Sequence, residues 1–320
     1  MKFGLAVPSF CGRIGSLDSP KLENLVSFAQ KAEELGFDSL WVVDHLLRAE
    51  PLYNIVWHDP TIMLGALAAI TRKVKLGPSI FVLPIRSPII VAKEIASLDN
   101  LTGGRTILGV GNGWFDKEFE ACGVPLAERG DRTDEYVRII RRLWTEDAVT
   151  FNGRFYRFHD IRLEPKPLQK PHPPIWIAGG SMSNQRNTNI DRVLRRIAKY
   201  GDGWISRDDT DFESLEQDWG TIQYFLREYG RSRSALTFAH LTWVYDTERK
   251  TESAVREFVS QYLNVPFEQI EKENIIGDGS HIIRKLERLA QIGVEYPIFM
   301  TMGSDFELVE FLAKQVLPSF

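Results

Sequence analysis

Ser39-Leu40-Trp41-Val42-Val43-Asp44-His45 is an apolar run that stops on a carboxylate and an imidazole. Apolar residues in unbroken succession, rather than in alternation, fit a strand covered on both faces, as in a parallel sheet. A helical pattern precedes the run: Leu22, Leu25, Val26, Ala29 and Ala32 fall on one face, and Gly36 supplies the C-terminal stop. In a barrel of parallel strands the loops leaving the strand ends vary without disturbing the core, so chemistry gathers there. A histidine at such an end, beside a carboxylate, is the first candidate for proton or oxygen chemistry.

Similar runs recur at residues 3–7, 74–82, 106–111, 175–179, 203–206, 236–245 and 296–300. Helical patterns at 132–144, 189–200, 212–229, 252–263, 281–292 and 306–316 fill the intervals, and Asp59-Pro60 opens another as cap and first-turn proline. Eight strand runs alternating with helices predict a (β/α)8 TIM barrel; a doubly wound open sheet is the alternative. The chain from 1 to 320 reads as one such domain with one excursion, at 148–174, between the fourth and fifth strands. There Asn152-Gly153 sits between aromatic residues of 149–158, a hairpin signal, and Pro165, Pro167, Pro171, Pro173 and Pro174 lead the chain back.

Composition narrows the class. Hydrophobic residues at 43% and charged residues at 26% describe a globular chain, and a net charge of −4 without a basic stripe argues against nucleic acid. Cys11 and Cys122 are far apart, which predicts no disulfide framework and a reducing, cytoplasmic setting. No apolar run approaches the roughly 18 residues of a membrane span. Residues 1–7 read as a short strand rather than a signal peptide. The six histidines, His45, His58, His159, His172, His240 and His281, show no HxH or HExxH spacing, so no metal site is expected.

The middle of the chain carries a resemblance. Asp99-Asn100-Leu101-Thr102-Gly103-Gly104-Arg105 leads into Leu108-Gly109-Val110-Gly111-Asn112-Gly113-Trp114. Glu118-Phe119, Gly123-Val124-Pro125, Arg129-Gly130, Pro165-Lys166-Pro167, Ile175-Trp176-Ile177-Ala178-Gly179-Gly180 and Gly201-Asp202-Gly203-Trp204 follow in order. This resembles the bacterial luciferase-like oxidoreductases, which use reduced FMN or the 5-deazaflavin coenzyme F420. The match is dense from about residue 2 to 206 and thin afterwards. It implies a barrel with the flavin ring at the C-terminal mouth, a separate flavin or F420 reductase, a small-molecule substrate and a homodimer. A luciferase-like monooxygenase using reduced FMN and O2 is the main expectation; F420-dependent hydride transfer is the alternative.

His45 matches the family's mouth histidine, and Asp44 is expected to orient or charge-tune a neighbour. The resemblance implies a non-prolyl cis peptide at Ser79-Ile80, under the ring. Gly111, with Gly109 and Gly113, leaves the fourth strand end bare for a cofactor. Asn112 stands where luciferase has a phosphate-holding arginine, and Trp114 where the F420-dependent sugar-phosphate dehydrogenases have a glutamate. Gly179, Gly180 and Ser181 form a phosphate nest on the fifth strand end, with Ser183 and Thr188 as further hydroxyls in the loop 182–189. Trp57, Phe81 and Trp114 are candidates for the substrate pocket. Arg129, Arg132, Asp134 and Glu135 read as a salt-bridged helix start. From other classes, a metal-dependent barrel hydrolase fits the fold but lacks ligand spacing, and a cofactor-poor binding protein fits the missing phosphate arginine.

Overall fold

The apolar runs become strands because both of their faces meet other side chains. The computed structural model describes residues 1–11, 22–49, 56–183, 189–259, 266–301 and 303–320. Eight strand segments run parallel: β1 (Gly4–Ala6), β2 (Ser39–Val42), β3 in two pieces (Lys75–Pro78 and Phe81–Val82), β4 (Leu108–Gly111), β5 (Ile175–Ala178), β6 (Gly203–Ser206), β7 (Thr237–Asp246) and β8 (Tyr296–Met300). Hydrogen bonding runs β3-β2-β1-β8-β7-β6-β5-β4 and returns to the second piece of β3. A bridge from Leu76 to Thr106 ties the first piece of β3 to the approach to β4, so the ring closes as the predicted (β/α)8 barrel.

Helices follow the strands around the outside: α1 (Leu22–Glu34), α2 (Pro60–Ile70), α3 (Pro88–Thr102), α4 (Arg129–Thr145), α5 (Ile190–Tyr200), α6 (Phe212–Glu228), α7 (Gly279–Ile292) and α8 (Phe306–Phe311). Asp59 caps α2 through the Ile62 N–H, as its pairing with Pro60 predicts. The pattern 252–263 yields a helix at Glu252–Phe258, and its end lies outside the described residues. Helix α3 is absent from the expected set, because its branched residues and mid-helix Ser97 and Asn100 dilute the pattern. No helix among the described residues is long and apolar enough to cross a membrane.

The interior of the barrel is aromatic. Trp41 and Trp176 have ring centroids 5.2 Å apart, and Tyr296 meets Trp176 edge-on at 5.1 Å. Strand residues opposite must be small: a Cβ on Gly203 would stand 2.5 Å from the Trp176 ring. Removing one such ring would cost about 3–5 kcal/mol. A second, larger core lies between strands and helices and includes Leu40, Phe81, Trp144, Trp204 and Phe238.

Two departures concern the excursion. The hairpin forms from Val149–Asn152 and Arg157–Ile161. Its tip is held by Glu135, whose carboxylate accepts the N–H groups of Arg154, Phe155 and Tyr156 at 2.7, 3.0 and 2.8 Å. Glu135 is therefore not part of a salt-bridged helix start. Arg132 pairs with Glu128 (2.8 Å) and Asp134 with Arg196 (2.5 Å). The return is not uniformly extended, for Pro165 and Pro171 both follow cis peptide bonds.

Two features at the mouth were not expected. A short antiparallel ribbon, Phe10–Cys11 with Val56–Trp57, stands above β1 and β2. Strand β7 is 10 residues long and overruns the barrel to pair with Ile275–Gly277.

Candidate active site

His45 and Asp44 leave the end of β2 side by side and take different environments. Asp44 is buried and receives the Arg86 fork, at 3.0 Å from Nε and 2.7 Å from Nη2, together with the Val82 N–H at 3.0 Å. Although burial opposes its charge, Arg86 is held above the usual arginine value by its bonds to Asp44. Its guanidinium lies 4.6 Å over the Phe81 ring. Asp44 thus stitches the β2 turn to the upper piece of β3.

The imidazole turns to another loop. His45 Nδ1 lies 3.3 Å from Oε1 of Glu118, on the short helix Asp116–Ala121 after β4. The same oxygen accepts the N–H groups of Leu46 and Leu47 at 2.7 and 3.1 Å. Burial alone would raise the Glu118 carboxyl; the bonds from His45, Leu47 and Leu46 hold it below the usual value. Two indoles flank the imidazole, Trp114 edge-on at 5.7 Å and Trp57 tilted at 6.4 Å. Trp114 is 37% exposed, while Trp57 is brought in by the unexpected ribbon.

Between the pieces of β3, the Ser79-Ile80 peptide is cis. Ile80 packs with the interior aromatic group, and the Ser79 hydroxyl is buried with no partner among the described residues. Phe81 falls on the other side of this kink. It is completely buried in the outer core, so the expectation that it lines the substrate pocket is corrected.

The glycines act differently from expectation. A Cβ on Gly111 would stand 2.5 Å from Ile80 Cδ1. Ile80 of the neighbouring strand thus packs over this face of Gly111. Asn112 is half-buried at the same turn.

The expected phosphate nest after β5 is also filled. Ser181 donates its N–H to Asp218 Oδ2 at 2.6 Å and its hydroxyl to Oδ1 at 2.7 Å. A Cβ on Gly180 would stand 3.1 Å from the same carboxylate, and Gly179 donates its N–H to Ile205 within the barrel. Asp218 thus engages both the N–H and the hydroxyl of Ser181. The Ser183 hydroxyl donates to the Asp209 carbonyl and accepts the Asp211 N–H, and Thr188 lies outside the described residues.

Across the ring, Asp208 follows β6 by two residues. Trp243 of β7 donates its indole N–H to Asp208 Oδ2 at 3.1 Å. Burial, reinforced by the neighbouring Asp209 charge, pushes the Asp208 carboxyl up to about 6. The rule that singled out His45, a polar group just past a buried strand, applies equally to Arg207-Asp208-Asp209 after Trp204-Ile205-Ser206. Glu118 was visible only as a motif residue. Among the described residues, no group of three or more His, Cys, Asp or Glu could hold a metal ion.

The mouth therefore offers an imidazole between two indoles, an unpartnered buried hydroxyl and an apolar floor. That surface fits the planar end of a flavin. Residues 1–292 match the family described as luciferase-like monooxygenase. The chain belongs to that family. The chain is 27% identical to the FMNH(2)-dependent dimethylsulfone monooxygenase of Pseudomonas putida, across 99% of the chain and 94% of the relative. It is also 27% identical to the F420-dependent glucose-6-phosphate dehydrogenase of Amycolatopsis mediterranei, across 92% of the chain and 93% of the relative. Among solved structures, an F420-dependent secondary alcohol dehydrogenase in complex with an F420-acetone adduct superposes with a TM-score of 0.82 at 22% identity, covering 99% of this chain and 98% of that one. This likeness corroborates the barrel.

Proposed function

We propose that the barrel mouth binds reduced FMN and that the protein oxygenates a small organic substrate with O2. The carrying observation is the His45 imidazole, fixed by Glu118 and set between Trp57 and Trp114 beside the Ser79-Ile80 kink. Ser79, Ile80, Asn112, Trp57 and Trp114 would hold the cofactor's ring, which supplies the redox chemistry when bound. His45 holds or moves a proton at its imidazole, and Asp44 positions the turn through Arg86 and Val82. The indoles exclude water from the reacting face.

The second reading is hydride transfer with coenzyme F420. It is favoured by the full-length similarity to the Amycolatopsis mediterranei dehydrogenase. Reconstitution separates the two: micromolar FMN binding with substrate-dependent O2 uptake supports oxygenation. Millimolar FMN binding with micromolar deazaflavin binding ends it. In either case His45→Ala should lower turnover by about 10²–10⁴-fold, the scale of a positioned acid–base group.

The same reading includes a separate reductase, supported by the similarity to the FMNH(2)-dependent relative of Pseudomonas putida. A reducing, cytoplasmic location is supported by the free, exposed Cys122. Homodimerisation through the outer helices is supported by the exposed Ile62 on α2 and by Ile90 and Leu101 on α3.

A further inference from the structure

We propose that Asp208 is the substrate-reading carboxyl of the mouth: it takes a neutral, largely apolar molecule through one hydroxyl and turns away carboxylates and phosphates. The inference deepens, and rests on, the reading of the mouth as the flavin site. It starts from position. In the eight-strand ring β6 lies four strands from β2 in either direction, so Asp208 stands across the mouth from His45.

The carboxyl is oriented. Trp243 is its one side-chain hydrogen-bond partner among the described residues, and it engages Oδ2 alone. The Arg207 guanidinium bonds both oxygens of Asp209 and acts on Asp208 through space, favouring its charged form. Asp209 and Arg207 are the two charges that act on Asp208. No side chain among the described residues bonds Asp208 Oδ1, the atom assigned to a ligand; the residue's own backbone N–H also steadies the carboxyl.

The surroundings are apolar. Trp243 packs in a cluster with Tyr245 of the β7 overrun and Met300 of β8, against which Trp57 and Leu241 also pack. Val255 of the helix Glu252–Phe258 and Phe267 of the helix Phe267–Glu273 join the cluster. Ala6, at the end of β1, belongs to the same cluster, which places it at the barrel mouth. The half-buried Trp57 and Leu241 are the members of this cluster that an apolar ligand would touch. A hydroxyl donating to Asp208 offsets the cost of its buried charge, whereas an anion would add to it.

Two probes of equal size test the inference, benzyl alcohol and benzoate, titrated against the flavin-free protein. The wild type at pH 8 should favour the alcohol by about tenfold or more, the effect of one nearby like charge. At pH 5 benzoate is still ionised but Asp208 is protonated, so the preference should narrow. Asp208→Asn should show the narrow ratio at both pH values. An independent arm needs no ligand. The Trp243 indole N–H resonance, assigned with Trp243→Phe, should titrate in the wild type near pH 6 and stay flat in Asp208→Asn. The inference is overturned by equal binding of the two probes at pH 8, by no binding of the alcohol at tens of millimolar, by an unchanged ratio in Asp208→Asn, or by a flat Trp243 resonance. FMN titration of both proteins is scored separately, so failure of the flavin reading is distinguishable from failure of Asp208.

Discussion

His45 and Glu118 meet across two loops, with Nδ1 of the imidazole 3.3 Å from an oxygen that also accepts the N–H groups of Leu46 and Leu47. One buried carboxylate oxygen therefore organises the whole turn after β2. It fixes the ring that faces the mouth and the backbone that carries it. The position of the imidazole depends on a residue 73 positions away in sequence.

Glu118→Ala should destabilise the protein by about 2–4 kcal/mol, because two N–H groups lose their acceptor, and should lower turnover with it. Glu118→Gln keeps an acceptor and should cost less. The native Glu118 carboxyl lies below its ordinary 4.5. Its stabilisation is fully present above that value and is lost as pH falls through the lowered folded value. Urea denaturation between pH 3 and 7 should show a steeper acid limb for wild type than for Glu118→Gln.

Asp44→Ala should cost about 3–5 kcal/mol, because it leaves the Arg86 guanidinium buried without its main partner. The Val82 N–H loses its acceptor as well. A thermal melt reads the loss. An unchanged melting temperature would show that Arg86 re-pairs with Asp59, which already lies 3.7 Å away.

Ser181→Ala tests the filled nest. The hydroxyl points inward to Asp218, so its removal should cost about 1–2 kcal/mol of stability. FMN affinity should change less than about threefold, since a ligand that never used the hydroxyl loses no hydrogen bond. A loss of ten- to a hundredfold in fluorescence-monitored FMN binding would return this turn to the cofactor.

Asp208→Asn should stabilise the protein at pH 8 and leave it unchanged at pH 3. Unfolded, Asp208 releases its proton near 3.8; folded, near 6. Between these values the folded state holds more protons, so wild-type stability falls as pH rises through the window. The gain at pH 8 should be about 1–3 kcal/mol, since the amide carries no charge to be penalised by burial or by Asp209. Paired urea melts at the two pH values measure it.

Much of this was legible beforehand for a physical reason. Strands covered on both faces must be apolar throughout, so Ser39–Val42 and its counterparts announce themselves, and their eightfold alternation with helices favours a barrel over an open sheet. The position of His45 follows from the same rule, because a polar residue just past a buried strand emerges at the mouth. What sequence alone could not determine is which polar groups satisfy one another. Asp218 fills the turn at Ser181, Ile80 fills the face of Gly111, and Phe81 turns into the outer core at the kink. These outcomes depend on pairings between segments tens of residues apart, and hydrogen bonds of a few ångströms are decided only when the ring closes. The pattern of apolar residues determined the scaffold; the closed barrel decided which of its polar residues remain for chemistry.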